Sequence, residues 1–202
     1  MIKYLLRIIM MKRINFLRIC TASLAFLSSS YNLAASTIKK FRVEKGFMVN
    51  SGKDRFDKSI SLFEGDTFFT KVASKDTDGD IFVFESSRIK EGGPSHHLHF
   101  DQDEWWYVVS GQFLIKVGDE TYQAKAGDSV FGPRQVPHSF AKVGDGEGKL
   151  LMFYQPAGKM EDMFRKISEG YTKGFTEEQQ DKFREEHGIK RVGPAITNFK
   201  KW

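Results

Sequence analysis

The sequence is almost without cysteine: Cys20 is the only one in 202 residues. It lies in the N-terminal stretch, where Arg18 and Ile19 do not provide the small-residue context of a lipidated cysteine. The rest of the chain therefore has no disulfide framework and no thiolate nucleophile or ligand. Internal repeats and low-complexity linkers are missing as well. No uninterrupted apolar run is long enough to cross a bilayer, because Arg18 divides the stretch from Ile14 to Ser30. The body also lacks a charge excess. The formal net charge is +5, and residues 1–36 contain Lys3, Arg7, Lys12, Arg13 and Arg18 with no acid, so 26 residues of each sign remain without them. A neutral body with no basic stripe gives no support for a nucleic-acid partner.

Residues 1–36 read as an export signal: Lys12 and Arg13, an apolar and hydroxyl-rich stretch, then Ala34, Ala35 and Ser36 as a small-residue cleavage site. The expectation is a periplasmic or secreted protein with no stable membrane anchoring after signal removal. From 41 to 156, short apolar or alternating runs such as Ile81–Phe84, Trp105–Val109, Phe113–Val117 and Leu150–Tyr154 are cut by Gly, Asp and Lys turns. Those lengths predict a strand-rich barrel or sandwich, with a hairpin at Gly118-Asp119. The acidic stretch Asp76–Asp80 lacks the glutamate and spacing of a calcium loop and reads as a solvated turn. Residues 157–202 change character. Met160, Met163, Phe164 and Ile167 have helical spacing, Thr176 with Gln179 resembles a capping box, and Gly188 stands where a helix ends. A helical extension is expected, packed on the barrel or on a second subunit.

Four of the five histidines fall between positions 96 and 138. Strand alternation puts His97 and His99 on one face and turns His96 away. Glu104 opens the next run, and His138 follows a Gly-Pro turn that places it on a facing strand. Three imidazoles and a carboxylate suit one divalent transition metal, whether iron, nickel, manganese, copper or zinc. His187, at a helix end, reads as structural. Trp106 and Val108 share the facing of Glu104. With Phe113, Phe131 and Phe140 they are the candidate walls of a small-molecule pocket, and Trp105 and Tyr107, facing outward, are candidates for a homodimer surface.

The spacing His97-x-His99-x4-Glu104-x6-Gly111, followed by Gly127, Pro133 and His138, resembles the two motifs of the cupin superfamily. Gln135 and Lys142 replace the glycine and asparagine of the second motif. Glu91 stands where the first motif begins with glycine, and Gly92 or Gly93 serves in its place. The runs Glu104 to Gly111 and Val130 to His138, with the ending Gly188 to Pro194, are similar to small single-domain cupins related to quercetin 2,3-dioxygenase. The resemblance implies an all-β jelly-roll barrel at 41–156. It also implies a metal held by His97, His99, Glu104 and His138, and dioxygenase chemistry on an aromatic or enolisable substrate, with dioxygen as co-substrate and Glu104 as ligand or base. A non-oxidative isomerase or lyase, or a binding module without catalysis, fits the same ligands.

Overall fold

A computed structural model describes residues 42–62 and 65–197, and the expected export segment with Cys20 lies outside them. Two antiparallel sheets carry the fold. The six-stranded sheet contains β1 (Ile60–Leu62), β2 (Asp66–Val72), β3 (Phe82–Arg88), β10 (Gly148–Gln155), β5 (Asp103–Ser110) and β8 (Ser129–Gly132), in that spatial order. The five-stranded sheet runs β11 (Ile189–Ala195), β4 (Ser95–His99), β9 (His138–Val143), β6 (Gln112–Val117) and β7 (Glu120–Lys125). The fold is an all-β jelly roll with a small helical extension. Alternation decides which side chains enter it. On β5, Glu104, Trp106 and Val108 are buried, while Tyr107 and Val109 are exposed. Phe82, Phe84, Ile115 and Leu150 complete the interior between the sheets.

Turn chemistry sets the registers. Gly118, at φ 58, and Asp119 join β6 to β7, so Val117 pairs with Glu120. Both candidates for the missing motif glycine are needed: Gly92 has φ 102, and a Cβ on Gly93 would lie 1.8 Å from the Phe140 carbonyl oxygen. The glycine missing from the second motif has a visible cost. Gln135 takes φ 63, the left-handed region that glycine enters freely, and is held there by its N–H on the His99 carbonyl at 2.7 Å.

The acidic stretch is a solvated turn only around Asp78, which is exposed. Ser74–Thr77 forms a short 3-10 helix, and Asp76, 3% exposed, accepts the Ala73 N–H at 3.0 Å with Oδ2. A carboxylate in the first turn satisfies an N–H the helix leaves unpaired, which is why it is drawn inward.

The tail forms α1 (Met160–Ser168) and α2 (Glu177–Glu186). The capping box is present, with Gln179 N–H donating to Thr176 Oγ1 at 3.2 Å and Thr176 N–H to Gln179 Oε1 at 2.9 Å. His187 is buried and does more than complement a dipole: Nδ1 lies 2.6 Å from the Phe183 carbonyl and Nε2 3.3 Å from Asp162, linking the two helices. A purely helical extension is corrected by β11, which pairs antiparallel with β4. Lys190, Arg191, Gly193 and Pro194 hide that strand from a hydrophobic pattern, and proline is tolerated because β11 is a sheet edge.

Gly93→Ala is expected to lower stability by about 2–3 kcal/mol, since the added carbon meets backbone that has to move. Chemical denaturation of the two proteins side by side measures it.

A candidate metal centre opening on an apolar cavity

Strands from both sheets bring the ligand atoms together. His97 and His99 come from β4, His138 from β9 where it registers against His97, and Glu104 from β5 on the opposite sheet. One donor atom from each of the four lies within 4.8 Å of every other. The three imidazole centroids are 4.8–5.2 Å apart. Glu104, His99 and His138 are essentially without solvent exposure, and His97 is partly buried.

Hydrogen bonds select the tautomers. His97 Nδ1 donates to the Ser95 carbonyl at 2.7 Å, and His138 Nδ1 to the Val136 carbonyl at 2.9 Å, each two residues back along its own chain. A ring that donates through Nδ1 presents a lone pair at Nε2, the form that binds a metal. His138 Nε2 faces Glu104 Oε2 at 3.0 Å, is buried, and has no hydrogen-bond partner among the described residues. Two acceptors that close, in a dry interior, are stable only with a cation or proton between them. His99 Nε2 lies 3.1 Å from the same carboxylate oxygen. The donor set therefore fits a divalent transition metal.

The electrostatics favour the same species. Burial, then the neighbouring His138 and His99, pushes the His97 imidazole down to about 3, so it is neutral at ordinary pH. Burial acts to raise the Glu104 carboxyl, but its imidazole neighbours outweigh burial and hold it below the usual carboxylate range. The sequence reading missed Tyr154. Its hydroxyl, buried on β10 where Tyr154 registers against Glu104, donates to Glu104 Oε1 at 2.9 Å. Oε1 is thus engaged and Oε2 is turned to the histidines. Alternation along β10 sends Leu150, Met152 and Tyr154 inward together, which marks Tyr154 as interior but not as a partner of Glu104.

His97, Glu104 and Tyr154 open on a cavity of about 450 Å³ whose other walls are mainly Phe68, Phe140, Met152 and the apolar face of α1. Of the five expected pocket residues, Phe140 lines it. Trp106, Val108 and Phe113 are core, and Trp106 packs its ring edge-to-face with His138 at 5.2 Å. Phe131 is 56% exposed: it registers against outward-facing Trp105, and opposite residues of an antiparallel pair share a face. His96 stays outside the cluster, with Nδ1 3.2 Å from Ser139 Oγ. Arg134 pairs with Asp103 through two nitrogens, at 3.0 and 2.6 Å.

Tyr154→Phe is expected to weaken metal binding about ten- to a hundredfold by releasing Glu104 Oε1, measured by competition with a chelator of known affinity. A second expectation concerns pH. In the metal-free protein, unfolded His97 takes up a proton near 6.5 and folded His97 only near 3. Protons therefore favour the unfolded state progressively as pH falls from 6.5 towards 3, and stability drops across that window. His97→Gln should remove this component, visible as a flatter dependence of melting temperature on pH.

Comparison with known proteins finds partial matches. Over 66 residues the chain is 29% identical to an uncharacterized protein of Methanocaldococcus jannaschii, covering 33% of this chain and 53% of that one. Over 69 residues it is 29% identical to the protein SchB of Streptomyces halstedii, covering 34% and 50% respectively. The chain spans about half the length of the curated relatives it matches. Among solved structures, KdgF from Halomonas sp. is 17% identical with a TM-score of 0.48, over 55% of this chain and 94% of that one. An RmlC-like cupin from Shewanella frigidimarina is 21% identical with a TM-score of 0.46, over 58% and 95%. Residues 87–154, which hold all four candidate ligands and Tyr154, match the cupin domain family. Within those residues the chain is similar to the cupin superfamily.

Proposed function

We propose that the protein is a metal-dependent dioxygenase acting on an aromatic or enolisable small molecule, in the manner of quercetinase-like cupins. The observation that carries this reading is the placement of the donor set: His97 and Glu104 stand on the wall of a cavity of about 450 Å³ that is otherwise largely apolar. That volume lies in the range of small-molecule sites, roughly 300–1,000 Å³. His97, His99, Glu104 and His138 would hold the metal, which when bound supplies Lewis acidity towards a substrate hydroxyl.

The remaining work falls to the chain. Met152, Phe68 and Phe140 pack against a planar apolar substrate and exclude water, so that charge developing on the substrate is felt strongly. Glu104, giving up its place among the ligands to the three imidazoles, accepts the substrate hydroxyl proton at Oε2 while Tyr154 keeps Oε1 in place. The helices of the tail complete the enclosure, because Met160, Met163 and Phe164 line the same cavity.

The test is oxygen consumption by protein loaded separately with iron, nickel, manganese and copper, given flavonols and catechols. Uptake with at least one metal is expected, and Glu104→Gln should reduce it about a hundredfold or more while the protein stays folded. Absence of uptake with all four metals overturns the reading. Turnover without oxygen would move the function to an isomerase or lyase acting through the same ligands.

A further inference from the structure

Residues 133–137 form the turn that crosses from β8 on one sheet to β9 on the other, and their bonds reach three segments that carry metal donors. Gln135 N–H donates to the His99 carbonyl at 2.7 Å, and Gln135 Nε2 donates to the Phe100 carbonyl at 3.3 Å. The Val136 carbonyl accepts His138 Nδ1 at 2.9 Å. Arg134 reaches the third segment. Its backbone N–H and Nε meet Asp103 Oδ1 at 2.9 and 3.0 Å, and Nη2 meets Oδ2 at 2.6 Å, one residue before Glu104.

The strained point of this turn is Gln135. At φ 63 its backbone occupies the left-handed region, which a residue with a Cβ enters at a cost that glycine avoids. Burial does not explain the strain, because Gln135 is exposed. The other described non-glycine residues with positive φ, Asp57 and Asp78, are aspartates, a type that visits this region more readily. The sheet shows why a tie is needed here. β4, which carries His97 and His99, meets β9 at one registered pair, His97 with His138. One pair gives few ladder bonds to hold two ligand strands at a fixed separation, and metal donors have to be held closely.

We infer that Gln135 is a positioning residue for the metal centre: it accepts a strained backbone so that its N–H and side chain together tie the end of the strand bearing His97 and His99 to the turn that delivers His138. Glycine in its place would relieve the strain and leave the backbone bond possible, but would lose the side-chain bond to Phe100. Arg134 would still hold the turn to β5, so the looseness would fall between His99 and His138. This role rests on His97, His99, Glu104 and His138 holding a metal and does not depend on the reaction that metal serves.

The experiment loads full-length native protein, Gln135→Gly, Gln135→Ala and Gln135→Lys with cobalt(II). Its readouts are the cobalt dissociation constant by chelator competition, the visible ligand-field bands of bound cobalt, and the melting temperature of each metal-free protein. Gln135→Gly is expected to melt no lower than the native protein, yet to bind cobalt about five- to tenfold more weakly and with altered bands. Gln135→Ala keeps the strain and loses the side-chain bond, so its affinity should fall comparably. Gln135→Lys retains a donor long enough to reach the Phe100 carbonyl and should stay within about threefold of native. A glutamine that serves the fold alone predicts that stability and affinity fall together in Gln135→Gly. That result overturns the inference, as does unchanged affinity in Gln135→Gly or Gln135→Ala, or a lysine variant no better than alanine. Cobalt bands absent from the native protein overturn it together with the metal centre, whereas absent oxygen uptake with flavonols overturns the dioxygenase reading alone.

Discussion

A carboxylate stripped of water must be surrounded by donors or by a cation, and Glu104, 1% exposed, is that carboxylate here. Meeting its needs engages four strands. β5 supplies it, β10 supplies the Tyr154 hydroxyl, and β4 and β9 supply the imidazoles. A slip of one residue in any of these strands would turn its polar group out of the barrel and a neighbour in. The pairing of Tyr154 with Glu104 and of His97 with His138 is therefore a chemical constraint as much as a packing one.

That constraint was largely legible in the sequence, because it depends on spacing. His97 and His99 two apart, Glu104 five further on and His138 after a Gly-Pro turn describe a convergent set without reference to the rest of the chain. The hairpin at Gly118-Asp119 and the box at Thr176 and Gln179 were legible for the same reason, being local chemistry. Tyr154 was not. Nothing in its neighbourhood distinguishes a tyrosine that bonds a buried carboxylate from one that merely fills space, and its role exists only through the register between β10 and β5. Phe131 misled in the opposite sense: its aromatic character suggested a pocket, but its partner Trp105 places it on the outer face.

The cavity wall was harder to read than the ligands. Its surfaces come from β2, β3, β10 and α1, elements separated widely along the chain. The apolar stripe of Met160, Met163 and Phe164 was visible as a helix face, but not that it would cover a hollow rather than a packed core. Asp66 and Arg88 were less visible still, since charged residues on a strand usually face water. Only the pairing of β2 with β3 sets them opposite each other on the interior side.

The strand β11 gives the C-terminal residues a part in assembling the centre. β4, which bears two of the four ligands, meets β9 at the single registered pair His97 and His138, and its other edge is covered by β11, with Ile189 against His99. Ribosomes release that covering segment about ninety residues after His99 has been made, and contacts so distant along a chain cost more loop-closure entropy to form. The ligand strand therefore has one of its two neighbours missing until Ile189 and the residues after it have been synthesised. A chain ending short of residue 189 would carry every ligand and still present an uncovered edge.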